Sequence, residues 1–244
     1  FMRFLLVLCM LLGSSSVFAD AYLELYQKAG WPQQQRHFAS ALEQAQLRYK
    51  NTLPTAIYQT LLENSNKRFA TAAMHQRGQK ALRQTLDNPN SALAFFNSAI
   101  GQKVSAAEVA ATHPEQLQRY AAGLPAIAAD ATRRLLIRHL ANALPASKSG
   151  AEVTLALGSV AADSLSQMLP GLMGAEQANA LLESQRQRLL TEIDANIDNT
   201  LLHVYRDLSD AELEEFVSFA QSPEGQDYYQ AAFKTLQASL SNAQ

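Results

Sequence analysis

Cysteine is almost absent from this chain. Its 244 residues contain one cysteine, Cys9, which lies inside an N-terminal apolar run from Phe4 to Leu12. A basic residue precedes this run, and Val17 and Ala19 supply the small side chains that a signal peptidase site requires. We therefore expect residues 1–19 to be a signal peptide that is cut after Ala19.

Long apolar stretches are missing as well. The N-terminal run has nine residues, whereas a helix that crosses a bilayer needs about 20, so we expect no stable membrane insertion. An export signal without a later anchor predicts the periplasm of a Gram-negative cell, with secretion beyond it as the alternative. Loss of Cys9 with the signal would leave neither disulfides nor a cysteine nucleophile.

The chain has no large excess of charge of either sign. Its formal net charge is −2, which argues against nucleic acid as the main partner because phosphate binding requires a clear basic excess. Glycine is sparse, and no segment alternates polar and apolar residues as an exposed strand would. Abundant alanine, leucine and glutamine favour helices. The sequence therefore predicts an all-α protein.

Motifs for catalysis and for cofactor binding are absent too. The five histidines form neither an i, i+4 pair nor a His-Glu-x-x-His pattern, and no Gly-x-Ser-x-Gly elbow, Ser-x-x-Lys pair, phosphate-binding loop or dinucleotide fingerprint is present. We therefore expect no enzymatic activity, no cofactor and no metal.

The most informative pattern is a helical corner that occurs twice. Phe219 is followed by Ser222, Pro223 and Gly225, and 124 positions upstream a fainter copy has Phe95, Ser98 and Gly101. In each copy the serine is placed to cap a helix, and the glycine permits two helices to approach closely. In the later copy Pro223 also suits the first helical position.

The repeated corner predicts two tandem, diverged helical repeats packed into one multi-helix unit. We assign residues 20–146 to a degenerate first repeat and residues 147–244 to a second one, with a turn at 145–150 between them. In the second repeat Ser209 and Glu212 have the spacing of a capping box. A helix is expected over 125–144, with Ile127, Ala131, Leu135 and Leu140 facing inward. A helix that starts at Pro54 is expected to continue to Leu86, and a long helix is expected after Gly174, with a core stripe from Leu182 to Leu208.

The segment around the second corner resembles a bacterial family catalogued as domain of unknown function 2059. The resemblance covers about residues 181–240 and is carried by Leu208 to Leu213, Phe216, Phe219 and the turn from Ser222 to Gln226. Ala220 stands where that family often has an aromatic residue, and Ala99 replaces the proline in the first copy. The resemblance implies an exported, all-helical protein and supplies no catalytic residues.

Three groups of side chains are candidates for an interaction surface. Aromatic residues crowd the start of the exported chain and the last helix, and one basic group lies on a predicted helix. The groups are Tyr22, Tyr26 and Trp31; Tyr228 and Tyr229; and Arg133, Arg134 and Arg138. Adjacent tyrosines on a helix point about 100° apart, so one of the pair could face a partner. Alternatively, the aromatic residues belong to a wide core face, and the arginines lie on the solvated face of a helix.

Our leading hypothesis is a non-enzymatic module that binds an unknown periplasmic protein or peptide in a groove between helical layers. If residues 1–19 were retained, we would expect them to cover such a groove. A homodimer is also compatible with the sequence. The first alternative is a carrier with a closed apolar cavity for a lipid or small ligand. The second is a hydrolase whose histidine lies beside a serine or carboxylate in a cleft.

Overall fold

The computed structural model describes residues 20–242, and within that range it is mostly helical and has no strand. The predicted all-α class is confirmed. The predicted signal peptide, residues 1–19, lies outside the described residues. The expected contact between this segment and a groove therefore stays a prediction.

The described residues form helices joined by short connections. In chain order they are α1 (Ala21–Lys28), α2 (Trp31–Leu47), α3 (Thr55–Arg68), α4 (Thr71–Thr85), α5 (Asn90–Asn97), α6 (Ala99–Ala111), α7 (Pro114–Arg119), α8 (Ala131–Ala143), α9 (Ala146–Gly158), α10 (Val160–Met168), α11 (Ala175–Ala195), α12 (Ile197–Val204), α13 (Asp210–Gln221) and α14 (Pro223–Leu240).

Both halves of the chain contribute to one main core. This core collects buried side chains from α1 at one end of the sequence to α14 at the other, and it holds Phe96, Ile137, Leu213 and Phe216. A smaller cluster lies under α2, α3, α4, α9 and the end of α14. The two predicted repeats therefore share one hydrophobic interior, while their origin by duplication stays a prediction.

The two predicted corners have the same local geometry. At α5–α6 the Ser98 hydroxyl accepts a hydrogen bond from the Gly101 N–H at 3.2 Å and donates to the Phe95 carbonyl at 2.5 Å. At α13–α14 Ser222 makes the equivalent bonds to Gly225 and Phe219, at 3.0 and 2.6 Å. Each serine thus satisfies a free amide of the starting helix and a free carbonyl of the ending helix.

The corners also contact each other directly. The rings of Phe95 and Phe219 stack with their centroids 3.9 Å apart and their planes within 6°. Phe96 and Phe216 extend this aromatic packing on either side. Residues that occupy matching places in the two corner motifs therefore form the contact that joins α5–α6 to α13–α14.

Each corner requires glycine for steric reasons. A Cβ atom at Gly225 would lie 1.8 Å from the Phe219 carbonyl oxygen, and one at Gly101 would lie 1.9 Å from the Phe95 oxygen. These are backbone atoms, so no rotamer change can relieve the overlap. The predicted close approach of two helices at each corner is confirmed.

The capping box of α13 forms as expected. The Ser209 hydroxyl accepts from the Glu212 N–H at 3.1 Å, and the Glu212 carboxylate accepts from the Ser209 N–H at 3.0 Å. Leu213, Phe216 and Val217 are buried on the inner face of this helix, as their spacing predicts.

The helix expected over 125–144 is wrong in its first part. The chain has no regular secondary structure from 123 to 130, and α8 begins only after Asp130, whose carboxylate accepts from the Arg133 N–H. This segment is held by Asn199, which accepts from the Ile127 N–H at 2.8 Å and donates to the Pro125 carbonyl at 3.0 Å. Leu135, expected to face the core, is 59% exposed.

Two other expected helices are interrupted. The helix predicted from Pro54 to Leu86 breaks at Phe69, where the Arg77 side chain donates to the Arg68 carbonyl at 2.6 Å. The long helix after Gly174 breaks at Asn196, whose side-chain amide donates to the Glu192 carbonyl. A side-chain donor competes with the helical N–H for each carbonyl.

The turn expected at 145–150 is shorter than predicted, because α9 already begins at Ala146. Pro145 therefore ends α8 with little linker between the two predicted repeats.

Replacement of Gly225 by alanine should destabilise the fold by on the order of 3 kcal/mol, because the new methyl group overlaps a backbone carbonyl. Gly158→Ala is the matched control, since a Cβ at Gly158 meets nothing within 4 Å. It should leave stability unchanged or raise it by up to about 1 kcal/mol. Urea unfolding measures both. Equal stabilities for the two variants would contradict the packing described for the corner.

Candidate functional site

The aromatic group at the start of the described chain belongs to the core. Tyr26 is 1% exposed, stacks on Trp31 at 5.8 Å, and its hydroxyl lies 2.9 Å from Nδ1 of His75. The partly buried Tyr22 donates its hydroxyl hydrogen to the Leu86 carbonyl at 2.7 Å. These contacts fix α1 and α2 against α4. The three aromatic residues therefore belong to a wide core face and not to an interaction surface.

The tyrosine pair on α14 is buried too. Tyr228 is 3% exposed and Tyr229 is 9% exposed, so the expectation that one of them faces a partner is wrong. Tyr228 packs on Phe96 and Tyr229 on Phe219, so each tyrosine contacts a different part of the aromatic core. Although the two side chains point about 100° apart, both are buried because other helices pack on both of these sides of α14.

The three basic residues do not form one surface. Arg133 is mostly buried and donates to the Tyr205 and Leu208 carbonyls and to the Asp210 carboxylate, at 3.0, 2.8 and 2.8 Å. It thereby holds the connection between α12 and α13. Arg138 pairs with Asp198 across to α12, and Arg134 is exposed. The basic-patch hypothesis therefore loses Arg133, which has a structural role.

A partly buried carboxyl group lies beside the main core. Glu108 on α6 accepts a hydrogen bond from the Tyr205 hydroxyl at 2.6 Å. Burial raises the pKa of Glu108 to about 7, and the Tyr205 bond only partly opposes this. Burial and the neighbouring Glu108 raise the pKa of Tyr205, Tyr228 and Tyr229. The sequence offered no signal for Glu108, since it lies in a helix among small residues.

Two surface clefts accompany the fold. One, of about 480 Å³, lies between α8, α11 and α14, and it is lined by polar residues such as Lys148, Asp194 and Gln226 as well as by Leu144 and Phe233. The other, of about 470 Å³, lies beside Asp87 and Lys234. Both have mixed linings, unlike the closed apolar cavity that the carrier hypothesis requires.

The segment with the most exposed apolar side chains consists of the end of α10, the turn that follows it and the first part of α11. We call residues 164–182 the apolar arm. Seven large apolar side chains of the arm are 36–75% exposed. They are Leu165, Met168, Leu169, Leu172, Met173, Leu181 and Leu182. In the rest of the described chain the large apolar residues with comparable exposure are Leu47, Leu117 and Leu135, which lie far apart in the sequence.

The base of the arm is fixed to the body of the protein. On α10, Asp163 pairs with Arg68 of α3 at 2.5 Å. On α11, Arg186 pairs with Glu152 of α9 at 2.8 Å, and Asp194 accepts from the Ser147 hydroxyl at 2.9 Å. Beyond these attachments the outer part of α11 has no buried side chain among those described. The arm is thus held at its base and left uncovered at its tip.

The sequence analysis missed this site by assigning leucines with helical spacing to the core. Leu182 was expected to begin the core stripe of α11, yet it is 40% exposed. The available signal was the cluster of leucine and methionine around Pro170 and Gly171, where a turn interrupts any helical period.

Comparison of the chain with protein-family models, with curated proteins and with solved structures finds no match. The resemblance to the domain of unknown function 2059 family therefore stays a prediction. Within residues 20–242, no helix combines the length and the apolar character needed to cross a membrane. The apolar arm is the feature from which function is argued.

Glu108 should make folding stability depend on pH. Its pKa in the folded state, about 7, exceeds the ordinary value of 4.5. The protonated form stabilises the fold below pH 4.5, and this contribution is lost as the pH rises through 7. Relative to Glu108→Gln, the wild type should therefore lose on the order of 2 kcal/mol between pH 4.5 and 8.

Urea unfolding of both proteins across this pH range measures the difference. Glu43→Gln, which alters an exposed carboxylate on α2, controls for the change in net charge. A wild-type minus Glu108→Gln difference that stays constant with pH would show that Glu108 is ionised freely in the folded protein.

Proposed function

We propose that this chain is an exported, non-enzymatic interaction protein and that the apolar arm is its contact surface for another protein. The observation that carries the proposal is the concentration of exposed leucine and methionine in residues 164–182. Methionine is common on surfaces that bind partners, because its flexible thioether adapts to different shapes.

The size of the patch supports binding. Seven large apolar side chains of this one segment are 36–75% exposed, whereas monomeric soluble proteins rarely expose contiguous apolar patches larger than a few hundred Å². Surface of this kind is costly to leave in water, since each buried Å² of apolar area contributes about 25 cal/mol. A partner that covers the arm would remove that cost.

The composition of the arm favours a protein over a lipid surface. Residues 164–182 contain no lysine, arginine, tryptophan, tyrosine or phenylalanine. Membrane-surface helices ordinarily use basic residues to meet lipid headgroups and aromatic residues to anchor at the interface. Leucine and methionine flanked by alanine and glycine suit contact with the apolar face of another helix.

The two alternatives have less support. Neither cleft has the lining expected for an apolar ligand. For the hydrolase alternative, the described histidines bond to Tyr26, Thr112, Gln221 and Arg206 and to the Glu115 N–H. No bond from a histidine to a serine or carboxylate occurs in the described part of the chain. The export expected from the N-terminal pattern places the proposed interaction in the periplasm.

Site-specific photocrosslinking tests this function. Leu172, 75% exposed at the tip of the arm, and Leu135, 59% exposed on α8, are each replaced by a photoreactive benzoyl-phenylalanine in the chain expressed with its N-terminal segment in a Gram-negative cell. Irradiation should give a discrete protein adduct from position 172 and none from position 135, because both side chains are more than half exposed and only Leu172 lies on the arm.

The outcome against the proposal is equally defined. If position 172 gives no protein adduct, or if both positions give the same diffuse products, the arm is not a specific contact surface.

A further inference from the structure

We infer that Met168 and Met173 are oxidation sites, and that a peroxide switches off the contact surface of the apolar arm by converting both methionines to sulfoxides. The switch rests on the proposed function, because it is a regulation of that same surface. The oxidation itself depends only on where the methionines lie.

The methionines differ sharply in exposure. Met168 and Met173, both on the arm, are 41% and 50% exposed, whereas Met74 on α4 is 1% exposed and packs in the smaller hydrophobic cluster. Met2 and Met10 belong to the N-terminal segment outside the described residues. An oxidant must reach the sulfur atom to react with it, so exposure selects the two methionines of the arm.

The surroundings of the arm methionines leave them accessible. Met168 is the last residue of α10, and Met173 lies in the turn between Gly171 and Gly174. A Cβ atom at either glycine would meet nothing within 4 Å, so no other described residue packs on the backbone beside Met173 at that distance. Met74, by contrast, becomes accessible only when the fold opens.

No thiol of the exported chain competes for the oxidant. Cysteine is the other residue whose sulfur peroxides oxidise. Cys9 is the single cysteine of the sequence, and the expected cut after Ala19 removes it. Three thioethers are therefore the oxidisable sulfur groups of residues 20–244, and two of them lie on the arm.

The reaction is a two-electron oxidation with hydrogen peroxide as the oxidant. A lone pair of the methionine sulfur attacks one peroxide oxygen, the O–O bond breaks and an S–O bond forms. The departing hydroxide takes the proton of the transferred oxygen, so the products are one sulfoxide and one water. The sulfur loses two electrons, and the peroxide oxygens gain them.

Oxidation changes two of the seven exposed apolar side chains of the arm. A sulfoxide is polar, and its oxygen accepts hydrogen bonds that an apolar partner surface does not donate. An acceptor that is buried without a donor weakens a contact by about 5-fold or more. Methionine sulfoxide reductases restore the thioether, so the change is reversible, as a switch requires.

Peptide mapping tests the modification. The purified full chain is treated with graded hydrogen peroxide, and the sulfoxide at each methionine is measured by mass spectrometry. Met168 and Met173 should oxidise at least about 10-fold faster than Met74, because the fold covers Met74 alone. In concentrated urea the three rates should become similar. Equal rates in the folded protein would overturn the assignment of the two sites.

Crosslinking with and without peroxide tests the switch. The chain with benzoyl-phenylalanine at position 172 is irradiated in cells, under conditions in which mapping finds both arm methionines oxidised. Peroxide should reduce the protein adduct by at least about 10-fold. The matched control Met168→Leu/Met173→Leu keeps the arm apolar and resists oxidation, so its adduct should persist. An adduct that survives in the first chain, or that is lost equally from both, would overturn the switch.

Hydrophobic-interaction chromatography distinguishes a failure of this inference from a failure of the proposed function. If position 172 gives no adduct even without peroxide, the proposed function fails, and the switch of its contact fails with it. The two oxidation sites stand if the oxidised full chain elutes earlier than the untreated chain while the elution of Met168→Leu/Met173→Leu does not change. Elution that oxidation leaves unchanged would show that the sulfoxides do not alter the arm, and the inference would fail as well.

Discussion

The structure depends on the contact between Phe95 and Phe219, where two serine-capped corners meet face to face. Their rings are 3.9 Å apart, and each ring comes from the helix that ends at a corner. Because Gly101 and Gly225 allow the following helices to start against the preceding carbonyls, both corners are sharp enough to bring the rings together. The relative positions of α5, α6, α13 and α14 follow from this contact.

That aromatic core determines what remains for function. Exposed tyrosines would be good partner contacts, but three of them are buried in the core, and they are Tyr26, Tyr228 and Tyr229. The last of these also lies near the partly buried Glu108. Arg133 is likewise committed to the backbone carbonyls that follow α12. The apolar arm lies outside this arrangement, because only its base is attached and its leucines and methionines find no cover within the described chain. An interaction role for the protein therefore rests on the arm and not on the residues that looked most distinctive in the sequence.

The sequence predicted those parts of the fold that depend on contacts between residues close together in the chain. Ser209, Ser222 and Gly225 act through neighbours within a few residues, so their roles could be derived from spacing alone. The irregular segment before α8 could not, because it is held by Asn199, more than 70 residues away. The exposure of Leu182 could not either, since helical spacing states which side chains share a face but not whether another helix covers that face. The arm was missed for this reason, and Glu108 because its burial comes from distant helices.

The central claim is that the body of the protein is a closed core and that the arm is an uncovered contact surface. Hydrogen–deuterium exchange of the purified protein, followed by mass spectrometry, tests it most directly. The account predicts slow exchange in α5, α6, α13 and α14 and fast exchange in residues 164–182. Exchange in the arm that is as slow as exchange in those four helices would contradict the account.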